Sequence, residues 1–121
     1  MTQLEVFIGK TIDDKYYFRV RTAGERVLLT SREYASLEKC MNEVYGIQQY
    51  TNFAMEEEYD RTYGHRYTLI GSWGRMVATS PYYIHLYAMR DDMTTVKTHV
   101  GRATVSDHSA LVRFFRRVRI K

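Results

Sequence analysis

Apolar and polar positions alternate with period two from the start of the chain. Leu4, Val6 and Ile8 fall on one side of a short segment, with Glu5 and Phe7 between them. Asp13-Asp14 marks a turn. Tyr16, Phe18 and Val20 then alternate with Tyr17, Arg19 and Arg21, the spacing of a half-buried strand. A turn at Thr22-Ala23-Gly24-Glu25 and a third apolar run over residues 26–31 make the second and third segments a hairpin. At residue 36 the period changes. Ser36 is an N-cap candidate, and Leu37, Cys40, Met41, Val44 and Ile47 recur at helical spacing, predicting a helix that ends near residues 48–51. Residues 53–59 read as extended again. Then the series repeats: a strand at 65–70, a turn at 71–74, a strand at 75–80, a helical stripe Leu86, Met89, Met93, Val96, a break at Gly101 and an extended stretch at 103–105.

A shift of 49 residues superposes the two series. Phe18 falls on Tyr67, Val20 on Leu69, Val27 on Met76, Thr30-Ser31 on Thr79-Ser80 and Tyr34 on Tyr83. The helical stripe follows, Leu37 on Leu86, Cys40 on Met89, Val44 on Met93 and Ile47 on Val96. A hairpin with one helix buries its own apolar face poorly, so two such units sheltering each other are the expected solution.

These segments resemble the repeat of the YegP-like family. The resemblance is carried by Tyr17-Phe18-Arg19-Val20-Arg21, the Gly24-Glu25 turn, Val27-Leu28-Leu29-Thr30-Ser31, Tyr34 and the helix to Ile47, and by Glu58-Tyr59-Asp60-Arg61 and the stretch 101–107. It implies an α+β fold of two tandem β-β-β-α-β repeats forming one antiparallel sheet, with both helices on one face and terminal strands exchanged between the units. Repeat one covers about 4–51, a shared or exchanged strand about 52–60, repeat two about 61–107, and a basic extension 108–121, all in one domain, 1–121. The sequence departs from the family pattern in its turns and in its helices. Glu43-Val44 and Asp92-Met93 stand where the family carries Gly-Ile. The resemblance transfers a fold and no catalytic residue.

Composition changes the picture in two places. With 45% apolar residues in 121, including 11 Tyr, the chain is globular, but so many tyrosines exceed what a small core accepts. Tyr45, Tyr50, Tyr59, Tyr63, Tyr82, Tyr83 and Tyr87 therefore supply contact surface, since exposed Tyr with Arg is the composition of binding interfaces. The net charge of +4 is uneven: residues 110–121 hold Arg113, Arg116, Arg117, Arg119 and Lys121 and no acid, leaving −1 for the rest. Read as a strand, this segment sets Val112, Phe114, Val118 and Ile120 against Arg113, Phe115, Arg117, Arg119 and Lys121. Cations neutralise phosphates and aromatics stack on bases, so it is a candidate contact for nucleic acid or for an acidic protein surface.

Chemistry is otherwise sparse. Four scattered histidines and one cysteine give no metal-ligand spacing, and no metal or cofactor is expected. Cys40 lies on a helical apolar stripe, which predicts a buried, inert thiol. Glu56-Glu57-Glu58 with Asp60 reads as a solvated edge. Gly71-Ser72-Trp73-Gly74 joins two strands, so it is not a phosphate loop; Trp73 at its tip reads equally as packing lid or contact residue.

These features predict a non-enzymatic interaction module that binds a protein as adaptor, subunit or small inhibitor, monomeric or as a homodimer. The contact candidates are Arg113, Phe115, Arg116, Arg117, Arg119, Lys121, Trp73 and Tyr63. The alternative is a nucleic-acid-binding protein using the basic C-terminal segment. The lone cysteine and the absence of a bilayer-length apolar run point to the cytoplasm and away from membranes.

Overall fold

The computed structural model describes residues 3–49 and 53–110. They form an α+β fold, a seven-stranded sheet with two helices. The strands are β1 (Leu4–Lys10), β2 (Tyr16–Thr22), β3 (Val27–Ser31), β4 (Ala54–Asp60), β5 (Gly64–Ile70), β6 (Met76–Thr79) and β7 (Thr104–Asp107). Helices α1 (Leu37–Gln49) and α2 (Leu86–His99) follow β3 and β6. The sheet order is β4-β5-β6-β3-β2-β1-β7.

Cross-strand neighbours share a face, and the pairs Val6↔Val20, Ile8↔Phe18, Val20↔Leu29 and Leu69↔Ala78 define the buried one. These residues form one core with Cys40, Val44 and Ile47 of α1 and Met89 and Val96 of α2, so both helices cover that face. Met41, counted above in the apolar stripe, is exposed instead, because the stripe that meets the sheet is narrower than the periodicity suggested. Ser36 caps α1 as expected, its Oγ accepting the Lys39 N–H at 3.2 Å.

The expectation of a wholly antiparallel sheet is corrected. β7 pairs with β1 in parallel, Glu5↔Thr104 to Ile8↔Asp107, and the sheet is mixed. The cause lies at the end of α2. The short 3-10 turn Val100–Arg102 is held against α1 by Gln48, whose Nε2 donates to the carbonyls of Val100 (3.1 Å) and Ala103 (2.9 Å). That anchor delivers β7 to the start of β1, and the two strands run the same way. The strand after α1, β4, pairs with β5 over all seven residues. Within residues 61–107 only two strands, β5 and β6, precede α2.

The middle of the sheet is its narrowest joint. β3 and β6 share only the pairs Thr30↔Thr79 and Ser31↔Ala78. Side chains reinforce it. Tyr67, fully buried on β5, donates its hydroxyl to the Leu28 carbonyl at 2.9 Å. Arg26 grips Asp92 of α2 with both Nη atoms (2.6 and 3.2 Å), and Tyr83 donates to the same carboxylate at 2.6 Å. On the other side Arg75 donates to Glu43 of α1 at 3.0 Å, with Tyr34 adding a second bond at 3.2 Å. Each latch ties the turn of one hairpin to the opposite helix. Burial works against the charged form of Asp92, but the bonds from Arg26 and Tyr83 outweigh it and hold its carboxyl below the usual range.

The Thr-Ser strand ends have a shared role. Ser31 Oγ accepts the Phe18 N–H (2.8 Å) and donates to the Arg32 carbonyl (2.6 Å). Ser80 Oγ accepts the Tyr67 N–H (2.9 Å) and donates to the Pro81 carbonyl (2.8 Å). Each hydroxyl replaces a ladder bond where the strand leaves the sheet.

Candidate functional site

Among the described residues, exposed aromatic side chains gather at one end of the sheet, where the β4–β5 turn meets the segment leading into α2. Asp60 fixes the turn: its Oδ1 accepts the N–H groups of Thr62 (2.8 Å) and Tyr63 (3.0 Å). Gly64 follows at φ +105°, with the Tyr83 carbonyl oxygen 2.3 Å from where a Cβ would sit. Only glycine fits there. The close approach is used, because His65 and Tyr83 exchange backbone bonds of 2.8 and 2.6 Å. The turn and the segment at 82–84 are thereby fastened together.

Aromatic side chains project from this frame. Tyr63 packs on Tyr82 with ring centres 5.3 Å apart, and the Arg66 guanidinium lies over the Tyr82 ring at 4.9 Å. Tyr59 packs on His65 at 4.8 Å. Arg66 is held in turn by Glu58 of β4. Tyr59 is 64% exposed, Tyr63 65% and Ile84 85%, with Tyr82 and Tyr87 also exposed. Tyr63, Tyr82 and Arg66 form one group, and Tyr59 with His65 forms a second on the helix side of the same end of the sheet. Rigid rings of this kind desolvate at little entropic cost.

The corresponding place in the first half is a control. Shifted back by 49, Tyr59, Tyr63, Tyr82, Ile84 and Tyr87 fall on Lys10, Asp14, Glu33, Ala35 and Glu38. The backbone device is the same, a Tyr16↔Tyr34 bridge matching His65↔Tyr83. The matched side chains there are not aromatic: Asp14, Glu33, Ala35, Glu38 and a buried Lys10 that pairs with Asp14 at 3.4 Å. The exposed apolar residue of that turn is Ile12, which falls on Arg61 in the second half. The fold is built at that corner without exposed aromatics.

A second, smaller surface lies on the sheet face away from the helices. Phe7 of β1 stacks on His108 (4.6 Å), with Arg21 over its ring at 4.5 Å. Arg21 also pairs with Glu5 at 2.6 Å, and that bond holds the Glu5 carboxyl below its usual range. Arg19 lies over Tyr17 at 5.1 Å. Just beyond, Asp107 accepts the N–H (3.0 Å) and the hydroxyl (2.7 Å) of Ser109.

Of the residues singled out from sequence, Tyr63 sits at the centre of the aromatic surface. Trp73 falls in the 3-10 turn Ser72–Gly74 between β5 and β6, and its side chain lies outside the description. Arg113, Phe115, Arg116, Arg117, Arg119 and Lys121 lie outside the described residues. Ile84 and Arg66 were not singled out. Their signal was available, because Ile84 is an apolar residue standing where the first half has Ala35.

Cys40 is buried, and burial pushes its thiol up to about 12, which leaves it protonated at neutral pH. The acidic run is split by its strand. Glu58 faces Arg66 on the sheet face away from the helices, and Glu57 is gripped by Arg90 of α2 at 2.9 and 3.0 Å. Among the described residues no three His, Cys, Asp or Glu side chains gather as metal ligands. Shallow grooves border Phe53 and Ala54, one reaching Glu43 and Ser72, the other Met93 and Lys97. No helix is long and apolar enough to cross a membrane.

Two solved structures share this architecture. The UPF0339 protein SO3888 from Shewanella oneidensis superposes with a TM-score of 0.82 at 18% identity, covering 89% of this chain and 93% of that one. The protein yegP from E. coli, of unknown function, superposes with a TM-score of 0.78 at 15% identity, covering 90% and 96%. The fold is thus the YegP-like fold that the sequence resembles. No protein-family model and no curated protein sequence matches the chain.

Proposed function

We propose that the chain is a non-enzymatic protein-binding module whose contact surface centres on Tyr63, Tyr82 and Ile84, with Arg66 ordering the Tyr82 ring and Tyr59 at the rim. The observation that carries this reading is the difference between the two corners. The same isolated bridge is flanked by Lys10, Asp14, Glu33 and Ala35 in one half and by the exposed rings of Tyr59, Tyr63 and Tyr82 in the other. In this reading the halves are diverged copies of one unit, one keeping a corner without exposed aromatic rings and the other turned to recognition. An exposed cluster that stability does not require is best explained by a partner that covers it. The module works in the cytoplasm as adaptor, subunit or inhibitor.

A photo-crosslinking side chain at position 63 tests this, with one at position 14 as the matched control. The expected result is a discrete adduct from position 63 alone. Tyr63→Ala and Tyr82→Ala then weaken the recovered partner's binding by about 2 kcal/mol or more each. Equal labelling from both positions contradicts the proposal.

A second reading, nucleic-acid binding through residues 113–121, is favoured by one feature. The chain reaches that segment beside the Phe7–His108–Arg21 stack, an aromatic and cationic surface. Salt-sensitive retention on single-stranded nucleic acid, lost on Phe7→Ala with Arg19→Ala, supports it; retention that ignores those changes removes it.

A further inference from the structure

The two ends of the sheet are finished differently. The edge of β1 is closed by β7 along Glu5 to Ile8. Shifted by 49, those positions fall on Ala54 to Glu57 of β4, and among the described residues no strand pairs there. β4 is bonded on one side to β5 over its full length without a bulge, and among the described residues the groups on its other side lie in a row open to a further strand.

Charge narrows the occupant. Glu56, Glu57 and Glu58 are all exposed on β4. Arg90 and Arg66 offset Glu57 and Glu58, and β4 keeps an acidic excess with Glu56 and Asp60 and no cation of its own. Pairing two β4 strands would set carboxylates against carboxylates, which is destabilising. A basic strand fits instead, and this chain carries one candidate, the segment 111–121 with five cations and no acid. A chain's own segment cannot serve its own β4. β7 and β4 are opposite edges of a seven-stranded sheet, six spacings or ~29 Å apart. Eleven residues fully extended reach only ~36 Å, so crossing the sheet leaves about two to pair.

We propose that the outer edge of β4 is a strand-addition site for the basic C-terminal segment, residues 111–121, of a second copy of this chain. Reciprocal exchange fills both edges and closes the assembly at two. The edge shares β4 with Tyr59 and with Glu58, the partner of Arg66, so Tyr63→Ala serves to separate this proposal from the aromatic surface.

A charge-swap experiment on the full chain tests it. One variant carries Glu56→Lys with Glu58→Lys; the other carries Arg113→Glu, Arg117→Glu and Arg119→Glu. Sedimentation velocity should show the unmodified chain dimerising with concentration. Each variant alone should dimerise at least ~10-fold more weakly. Their mixture should recover the dimer, because both exchanged contacts are then complementary. Thermal midpoints measured alongside verify that the variants fold, and Tyr63→Ala should leave dimerisation unchanged. A free peptide of residues 110–121 should compete with the dimer, and a scrambled peptide of equal charge should not. A monomeric unmodified chain, variants that dimerise normally, a mixture that stays monomeric, or equal competition by the scrambled peptide each overturns the proposal.

Discussion

The β1–β2 corner and the β4–β5 corner are closed by the same kind of bridge and carry different surfaces. Both join a long hairpin to the segment ahead of a helix by one isolated bridge, Tyr16↔Tyr34 in the first and His65↔Tyr83 in the second. One is finished with a Lys10–Asp14 ion pair; the other with stacked tyrosines and a bare Ile84. The bridge is common to both corners; the exposed side chains around it differ, and it is among them that specific function is sought. The sheet edges repeat the lesson: β1, covered by β7, buries Val6 and Ile8, whereas the counterparts on uncovered β4 are Met55 and Glu57.

The largest effect separating the corners is expected at Gly64. Its counterpart Lys15 bears a side chain without difficulty, but Gly64→Val forces a β-branched residue to φ +105° and against the Tyr83 carbonyl. A loss of about 3 kcal/mol in urea denaturation is expected. Gly46→Ala on α1, where nothing lies within 4 Å of the new Cβ, should instead gain about 0.5–1 kcal/mol.

Next come the two latches. Asp92→Ala strips Tyr83 and Arg26 of their acceptor and should cost about 2–3 kcal/mol. Glu43→Ala removes a single bond from half-exposed Arg75 and the longer 3.2 Å bond from Tyr34, and should cost about 1–2 kcal/mol. The Asp92 latch also carries a pH signature. Its carboxyl lies below the usual range in the folded state, so its contribution is complete above the unfolded value of about 4 and fades as pH falls through the depressed folded value. Asp92→Asn should flatten that part of the acid limb in a stability-versus-pH profile, and an unchanged profile would remove the latch from the account.

A smaller effect is expected at Tyr67→Phe, which deletes the bond to Leu28 and makes the residue match its counterpart Phe18. About 1 kcal/mol should be lost at the β3–β6 joint. The smallest stability effect is expected from Tyr63→Ala, within about 0.5 kcal/mol, as for an exposed position.

Most of this fold is legible in the sequence because the apolar register alone specifies it. Phe18, Val20, Tyr67 and Leu69 lie where their alternation put them, and Cys40, Val44, Met89 and Val96 lie on the sheet-facing sides of the helices. The direction of β7 was not legible, because it depends on Gln48 anchoring a turn more than 50 residues away. The latches were half visible. Glu43 and Asp92 stood out as departures from the family pattern, but their partners Arg75 and Arg26 are 32 and 66 residues distant. At the aromatic surface Tyr63 was legible as one tyrosine too many for the core. The contribution of Ile84 needed the bridge that brings residues 82–84 against the turn.

The most direct test is to exchange the corners. Tyr59→Lys, Tyr63→Asp, Tyr82→Glu and Ile84→Ala together give the second corner the side chains of the first. If the aromatic cluster exists for contact, the quadruple variant keeps its unfolding free energy within about 1 kcal/mol and no longer binds the partner captured through position 63. If it unfolds, or binds that partner undiminished, the aromatics belong to the fold and the recognition surface lies elsewhere.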